Sequence, residues 1–154
     1  MSNILTAFFS ASGVTKAAAE KLSEAVGSDI YEIKPKDIYT DSDLNWRNPL
    51  SRVTKEQIKK ARPELADYTL DISGYDEILL CFPIWYYAAP NIIHSFLEAY
   101  DFTGKKIVLF ATSGGSALGK SCQKLLKSVS EKTEIVDGCM LNNGVDAEEI
   151  KKFL

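Results

Sequence analysis

Residues 10 to 15 read Ser10-Ala11-Ser12-Gly13-Val14-Thr15, which crowds three hydroxyls around one glycine. They follow an apolar run, Ile4 to Phe9, and precede a helical pattern of Val14, Ala17, Ala18, Leu22, Ala25 and Val26. A hydroxyl-rich loop therefore joins a buried strand to a helix. The first turn of a helix carries N–H groups without intrahelical partners, and the dipole makes that end positive. Glycine lets the backbone close on a ligand. This combination suits a phosphate monoester. The same pattern also serves a plain helix N-cap. It is not a Walker-type loop, because no Gly-Lys-Ser/Thr ends it. A single glycine also falls short of the dinucleotide fingerprint. Lys16 either adds charge or is simply solvated.

A second group is Pro83-Ile84-Trp85-Tyr86-Tyr87-Ala88-Ala89-Pro90. Two prolines bracket three consecutive aromatics after an apolar strand. Adjacent residues of a strand point to opposite faces, so a strand has no need of such a run. Rings held by rigid turns make a stacking wall for a planar ligand, or pack on neighbouring helices. Pro90 favours an extended Ala89. The third group is Thr112-Ser113-Gly114-Gly115-Ser116-Ala117-Leu118-Gly119. Its free N–H groups could bond carbonyls of a planar heterocycle, or it is a flexible strand-to-helix turn.

The elements that must position these groups alternate. Strands are expected at Ile4–Phe9, Asp29–Ile33, Glu77–Phe82 and Lys106–Ala111, then in two pieces at Glu134–Val136 and Cys139–Leu141. Helices are expected after the first loop, through Ile92, Ile93, Phe96, Leu97 and Tyr100, and from Ala117 through Cys122, Leu125, Leu126 and Val129. A short terminal helix ends in Ile150, Phe153 and Leu154. The first, third and fourth strands are almost wholly apolar, as in a parallel sheet covered on both faces. Right-handed crossovers then give a doubly wound α/β three-layer sandwich. Ligands of such folds bind beyond the C-terminal ends of the strands, where all three groups fall. Residues 34 to 76 are too long for one helix and short loops. Thr54-Lys55-Glu56-Gln57 reads as a capping box opening a helix that Pro63 stops. The stretch is either a lid or a cover over the sheet edge.

The chain of 154 residues suits one domain spanning 1–154. A net charge of −3 and scattered Lys/Arg pairs argue against a nucleic-acid partner. No apolar run approaches a membrane span, and no signal peptide is recognisable. Cys81, Cys122 and Cys139 lack metal or redox spacing and read as reduced thiols, with Cys81 a small core residue, so a cytoplasmic location is expected and no metal site. His94, the only histidine, reads as a surface or half-buried helix residue.

Taken together, the three groups resemble the flavodoxin family. Ser10-Ala11-Ser12-Gly13-Val14-Thr15 resembles its phosphate loop, Pro83-Ile84-Trp85-Tyr86 the ring loop of short bacterial flavodoxin-like members, and Thr112-Ser113-Gly114-Gly115 their second flavin loop. The resemblance implies a five-stranded parallel sheet in order 2-1-3-4-5 and a bound flavin mononucleotide (FMN). It implies that Ser10, Ser12, Gly13, Val14 and Thr15 hold the phosphate. Pro83, Ile84, Trp85 and Tyr86 would line the ring, and Thr112, Ser113, Gly114 and Gly115 its polar edge. Leu44-Asn45-Trp46, Ser51-Arg52 and Glu56 also resemble a feature of this subgroup, without an assigned role.

Two departures bear on function. Val14 replaces a common asparagine and loses one side-chain hydrogen bond. No glycine follows Trp85, whereas one-electron carriers flip a glycine-containing peptide towards the flavin. Residues 83–90 and 112–119 also carry no Asp or Glu. The expected function is an FMN-dependent redox protein, either a two-electron reductase of quinones or similar acceptors or an electron carrier. Its donor would be NAD(P)H or a redox partner protein, and its acceptor a small molecule or protein. The alternative is a non-enzymatic receiver or scaffold domain on the same fold. A receiver, however, needs acidic residues where Phe9-Ser10 and Phe82-Pro83 stand. A hydrolase elbow is missed by one residue at Gly115–Gly119, and the first loop lacks the cysteine of a low-molecular-weight phosphatase.

Overall fold

The computed structural model describes residues 3–11, 13–37, 39–40, 43–44, 47–48, 50–59, 61–85, 88–113, 118, 121–142 and 144–154. Five strands form one sheet: β1 (Ile4–Phe8), β2 (Asp29–Glu32), β3 (Glu77–Pro83), β4 (Lys106–Thr112) and β5 (Glu134–Met140). Their order is β2-β1-β3-β4-β5 and every pairing is parallel. Fold class and strand order thus match the expectation. The helices are α1 (Val14–Val26), α2 (Arg52–Lys59), α3 (Asn91–Ala99), α4 (Ser121–Leu125) and α5 (Ala147–Lys151).

Alternation along each strand sends side chains to two separate cores. Leu5, Ala7, Ile78, Leu80, Phe82, Ile107 and Leu109 face α3 and α4, meeting Ile92, Ile93, Phe96 and Leu125. Phe8, Leu79, Cys81, Val108 and Phe110 face α1 and α5, meeting Ala19, Leu22 and Ile150. Cys81 is fully buried, as expected of a small core residue. Both faces being covered explains why β1, β3 and β4 read as continuous apolar runs. No helix among the described residues is long and apolar enough to cross a membrane.

Several boundaries differ from the sequence reading. The fifth strand is continuous rather than split at Asp137-Gly138. Its register against β4 shifts between Leu109 and Ala111. A Cβ on Gly138 would stand 2.6 Å from the Leu109 carbonyl oxygen and 2.7 Å from the Phe110 ring. Only glycine lets the strands close there, and a bulge breaks the hydrophobic period without breaking the strand. Helix α2 begins at Arg52, not after a Thr54 cap. Ser51 holds its start: the carbonyl accepts the Lys55 N–H at 3.0 Å and the hydroxyl meets the Thr54 amide at 3.5 Å. Ser51 and Thr54 are both capping residue types, three positions apart, and the earlier one is used. The fourth helix is one short α segment continued by a 3-10 turn over Leu126–Ser128; its expected start at Ala117 lies outside the described residues. The terminal helix stops at Lys151, with Phe153 and Leu154 packed on the α1-side core.

The long connection from β2 to β3 covers the sheet. An antiparallel bridge pairs Pro35 with Leu65, and Tyr39, Val53, Leu65 and Ile72 are buried in the α3-side core. His94 departs from expectation too: it is only 8% exposed. Its Nδ1 lies 2.6 Å from Ser128 Oγ, and that hydroxyl donates to Glu98 Oε2 at 2.7 Å. The single Ser128 proton goes to the carboxylate, so Nδ1–H is the donor to Ser128. Arg62 completes the network at 3.1 Å from Glu98.

Burial, reinforced by the Arg62 charge, pushes the His94 imidazole down to about 4, against the partial opposition of Glu98. Between that value and its ordinary range the unfolded chain binds more protons than the folded one. Stability is therefore full above pH ~6.5 and falls as pH is lowered towards 4, by up to roughly 3.5 kcal/mol at about 1.4 kcal/mol per unit. Urea unfolding from pH 7 to pH 5 should show this decline, and His94→Gln should flatten it.

Candidate functional site

β1 ends at Phe8, opposite Cys81, and β3 and β4 end together two residues further on, at the Pro83–Thr112 pair. The three loops named in the sequence consequently start side by side. In the first, Ser10 is half-buried and its Oγ accepts the Gly13 N–H at 3.0 Å. Gly13 is the N-cap of α1, with φ +94°. An L side chain there would be strained, and no described atom lies within 4 Å of where its Cβ would stand. Gly13 has no side chain to satisfy the first-turn N–H groups, so the positive end of a 13-residue helix opens into the loop. Val14 is 62% exposed and its apolar side chain brings no hydrogen-bonding group. Ser12 lies outside the described residues.

Thr15 is buried and its Oγ1 sits 2.8 Å from Thr112 Oγ1. The first and third loops are thus tied by two residues that the sequence placed in separate roles. At the third loop, Ser113 is clamped by Asn142, whose Oδ1 accepts the Ser113 N–H at 2.9 Å and whose Nδ2 donates to the Ser113 carbonyl. Gly114 and Gly115 lie outside the described residues. Asn142 went unnoticed in the sequence, although Asn142-Asn143-Gly144 is a turn signature that follows the last expected strand.

In the second loop, Pro83 closes β3 and the Ile84 N–H donates to the Thr112 carbonyl at 3.0 Å. Trp85 and Ala88 exchange two backbone hydrogen bonds, of 2.9 and 3.2 Å, as an antiparallel bridge. Tyr86 itself lies outside the described residues. Ile84 and Trp85 are half-buried. A cavity of about 330 Å³ flanks the first loop towards β2, lined by Phe9, Ser10, Ala11, Ile33 and Tyr39 among others.

These observations fit a phosphorylated planar ligand. An uncapped helix terminus stands beside an open glycine cradle, and a half-buried indole lies across the neighbouring strand end. Among the described residues no group of three or more His, Cys, Asp or Glu side chains could hold a metal ion.

Comparison with known proteins agrees with this architecture. A flavodoxin family model matches residues 3–154. The chain belongs to the flavodoxin family. A candidate flavoprotein from Bacteroides eggerthii DSM 20697 is 42% identical, with a TM-score of 0.91, over 100% of this chain and 96% of that one. A second, from Bacteroides uniformis ATCC 8492, is 37% identical, with a TM-score of 0.89, over 99% and 97%. A flavoprotein from Lactobacillus acidophilus NCFM, solved in complex with FMN, shares the fold at 22% identity and a TM-score of 0.71, over 99% and 98%. No curated protein matched.

The Asn142 clamp is testable without any ligand. Asn142→Ala should release the Ser113 amide and speed its hydrogen exchange about tenfold or more, equivalent to the ~1.4 kcal/mol of a lost hydrogen bond. Amides in the centre of β4 should keep their protection.

Proposed function

We propose that this flavodoxin-family chain binds FMN across its three loops and works as a two-electron redox protein, taking electrons from NAD(P)H or a reductase protein and passing them to a quinone-like acceptor. The observation that carries the cofactor is the left-handed Gly13 N-cap, which leaves α1 open to a phosphate beside the indole of Trp85. The backbone N–H groups of Val14 and Thr15 would hold the phosphate, beside the Ser10 hydroxyl that takes the Gly13 N–H. Ile84 and Trp85 would line the ring and keep water from one of its faces. The Thr15–Thr112 bond would hold the phosphate loop against the third loop, next to the ring's polar edge. When bound, the flavin supplies the electron transfer, and the chain supplies binding, orientation and electrostatics.

Electron number follows from the residue types after Trp85, which are Tyr86, Tyr87 and Ala88 with no glycine among them. A peptide flipped towards the flavin through positive φ would cost a non-glycine residue about 1–2 kcal/mol. Neither flavin-facing loop carries an acid to oppose negative charge on the ring. Both features favour paired electrons.

Two measurements test the proposal. Charge-assisted hydrogen bonds contribute roughly 1.5–3 kcal/mol each. Riboflavin should therefore bind at least about ten times more weakly than FMN, and inorganic phosphate should compete with FMN alone. Equal affinities would remove the phosphate site. For electron number, anaerobic dithionite titration should proceed from oxidised to fully reduced flavin without build-up of long-wavelength absorbance. A large blue intermediate near half reduction would return the chain to the one-electron carriers.

A further inference from the structure

Tyr39 lies in none of the three loops, yet it touches two of them. Its ring stands edge-on to Trp85, with centroids 5.3 Å apart and planes at 73°, and edge-on to Phe9 at 5.8 Å and 65°. Phe9 meets Trp85 at 5.5 Å and 89°. Three rings, from the segments after β1, β2 and β3, close a triangle. Edge-to-face contacts fix relative tilt as well as position.

Tyr39 is in turn gripped from α2. The Arg52 guanidinium lies 3.8 Å from its ring centroid, and the phenol donates to Glu56 Oε1 at 2.5 Å. Arg52 Nε donates to Glu56 Oε2 at 3.2 Å, while Nη1 donates to the Asp37 carbonyl at 2.8 Å. One turn of helix therefore holds the ring by its face and by its hydroxyl. Burial and the Glu56 carboxylate raise the phenol well above its ordinary range, so the proton that makes this bond is retained. The same helix reaches the far end of the aromatic loop. Asn91, directly after Pro90, donates its side-chain amide to the Glu56 carbonyl at 2.8 Å.

We infer that Tyr39, gripped by Arg52 and Glu56, is a positioning residue that sets the tilt of Trp85 and thereby the shape of the flavin-ring site. The inference rests on the flavin proposal for its consequence, but not for its geometry. Loss of the hydroxyl grip frees the Tyr39 ring, and Trp85 follows. The phosphate end of the site rests on the backbone of Gly13 and Val14 and is not part of this arrangement.

The experiment uses the full chain in a Trp46→Phe background, which leaves Trp85 as its one indole. Tyr39→Phe, Glu56→Ala and Glu56→Gln are compared by FMN and riboflavin titration, and by the near-ultraviolet dichroism of Trp85 without flavin. Tyr39→Phe and Glu56→Ala should weaken both flavins by the same factor, about fivefold for one hydrogen bond, and alter the Trp85 band. Glu56→Gln keeps an acceptor for the phenol and should restore both in large part. Unchanged affinities with an unchanged Trp85 band would overturn the inference, as would a loss confined to FMN. If Tyr39→Phe fails to fold, the Glu56 pair decides. If the background protein binds neither flavin, the flavin proposal fails by itself. The Trp85 band then judges the grip: an altered band supports it and an unaltered band overturns it.

Discussion

The parallel ladder joining β1, β3 and β4 is the constraint on which the candidate site depends. Register pairs Phe8 with Cys81 and Pro83 with Thr112, so three chain segments leave the same edge of the sheet within two residues of one another. Each then turns into a connection that must run back across a sheet face. Loops far apart in sequence are thereby packed side by side, close enough for Thr15 to bond Thr112 and for Ile84 to bond the Thr112 carbonyl. No single loop supplies a site. The alignment does, and it rests on backbone hydrogen bonds buried between two apolar layers, where leaving any one unmade costs more than making it contributes.

The charges around this edge follow from the same packing. The aromatic and glycine loops bring no acidic side chain. The Glu56 carboxylate is spent on the Tyr39 hydroxyl and the Arg52 guanidinium. The positive pole of α1 opens at the first loop, where it suits an anion. Arg52 lies close to the aromatic triangle but faces Glu56 at 3.2 Å and Asp43 at 3.8 Å, so it adds little net charge.

Sequence made the sheet and the three loops legible because each strand with two covered faces is an unbroken apolar run and each loop has its own chemistry. It was weakest where a tertiary contact overrode a local pattern. Asp137-Gly138 seemed to divide β5 into two pieces but is a bulge within it, allowed because a strand can absorb an extra residue beside Phe110. Thr54 looked like a cap, but Ser51 stands three residues earlier with the same chemistry. His94 read as a surface or half-buried residue because nothing local signals the Ser128 and Glu98 partners that allow its burial. Asn142 and Tyr39 were missed or unassigned for a related reason: their partners lie 29 residues away at Ser113 and 17 residues away at Glu56. Arg52 and Glu56 stood out as a pattern without a role until the fold placed them against Tyr39.

The central claim is that one FMN molecule occupies the edge where these three loops meet. Amide chemical-shift mapping of the isotope-labelled chain during FMN addition tests it most directly. The account predicts saturable shifts concentrated at Gly13, Val14, Thr15, Ile84, Trp85 and Ser113, with those of α5 and the N-terminal halves of the strands unmoved. Saturable shifts that spare Gly13 to Thr15, or that cluster on another face of the sheet, would contradict it.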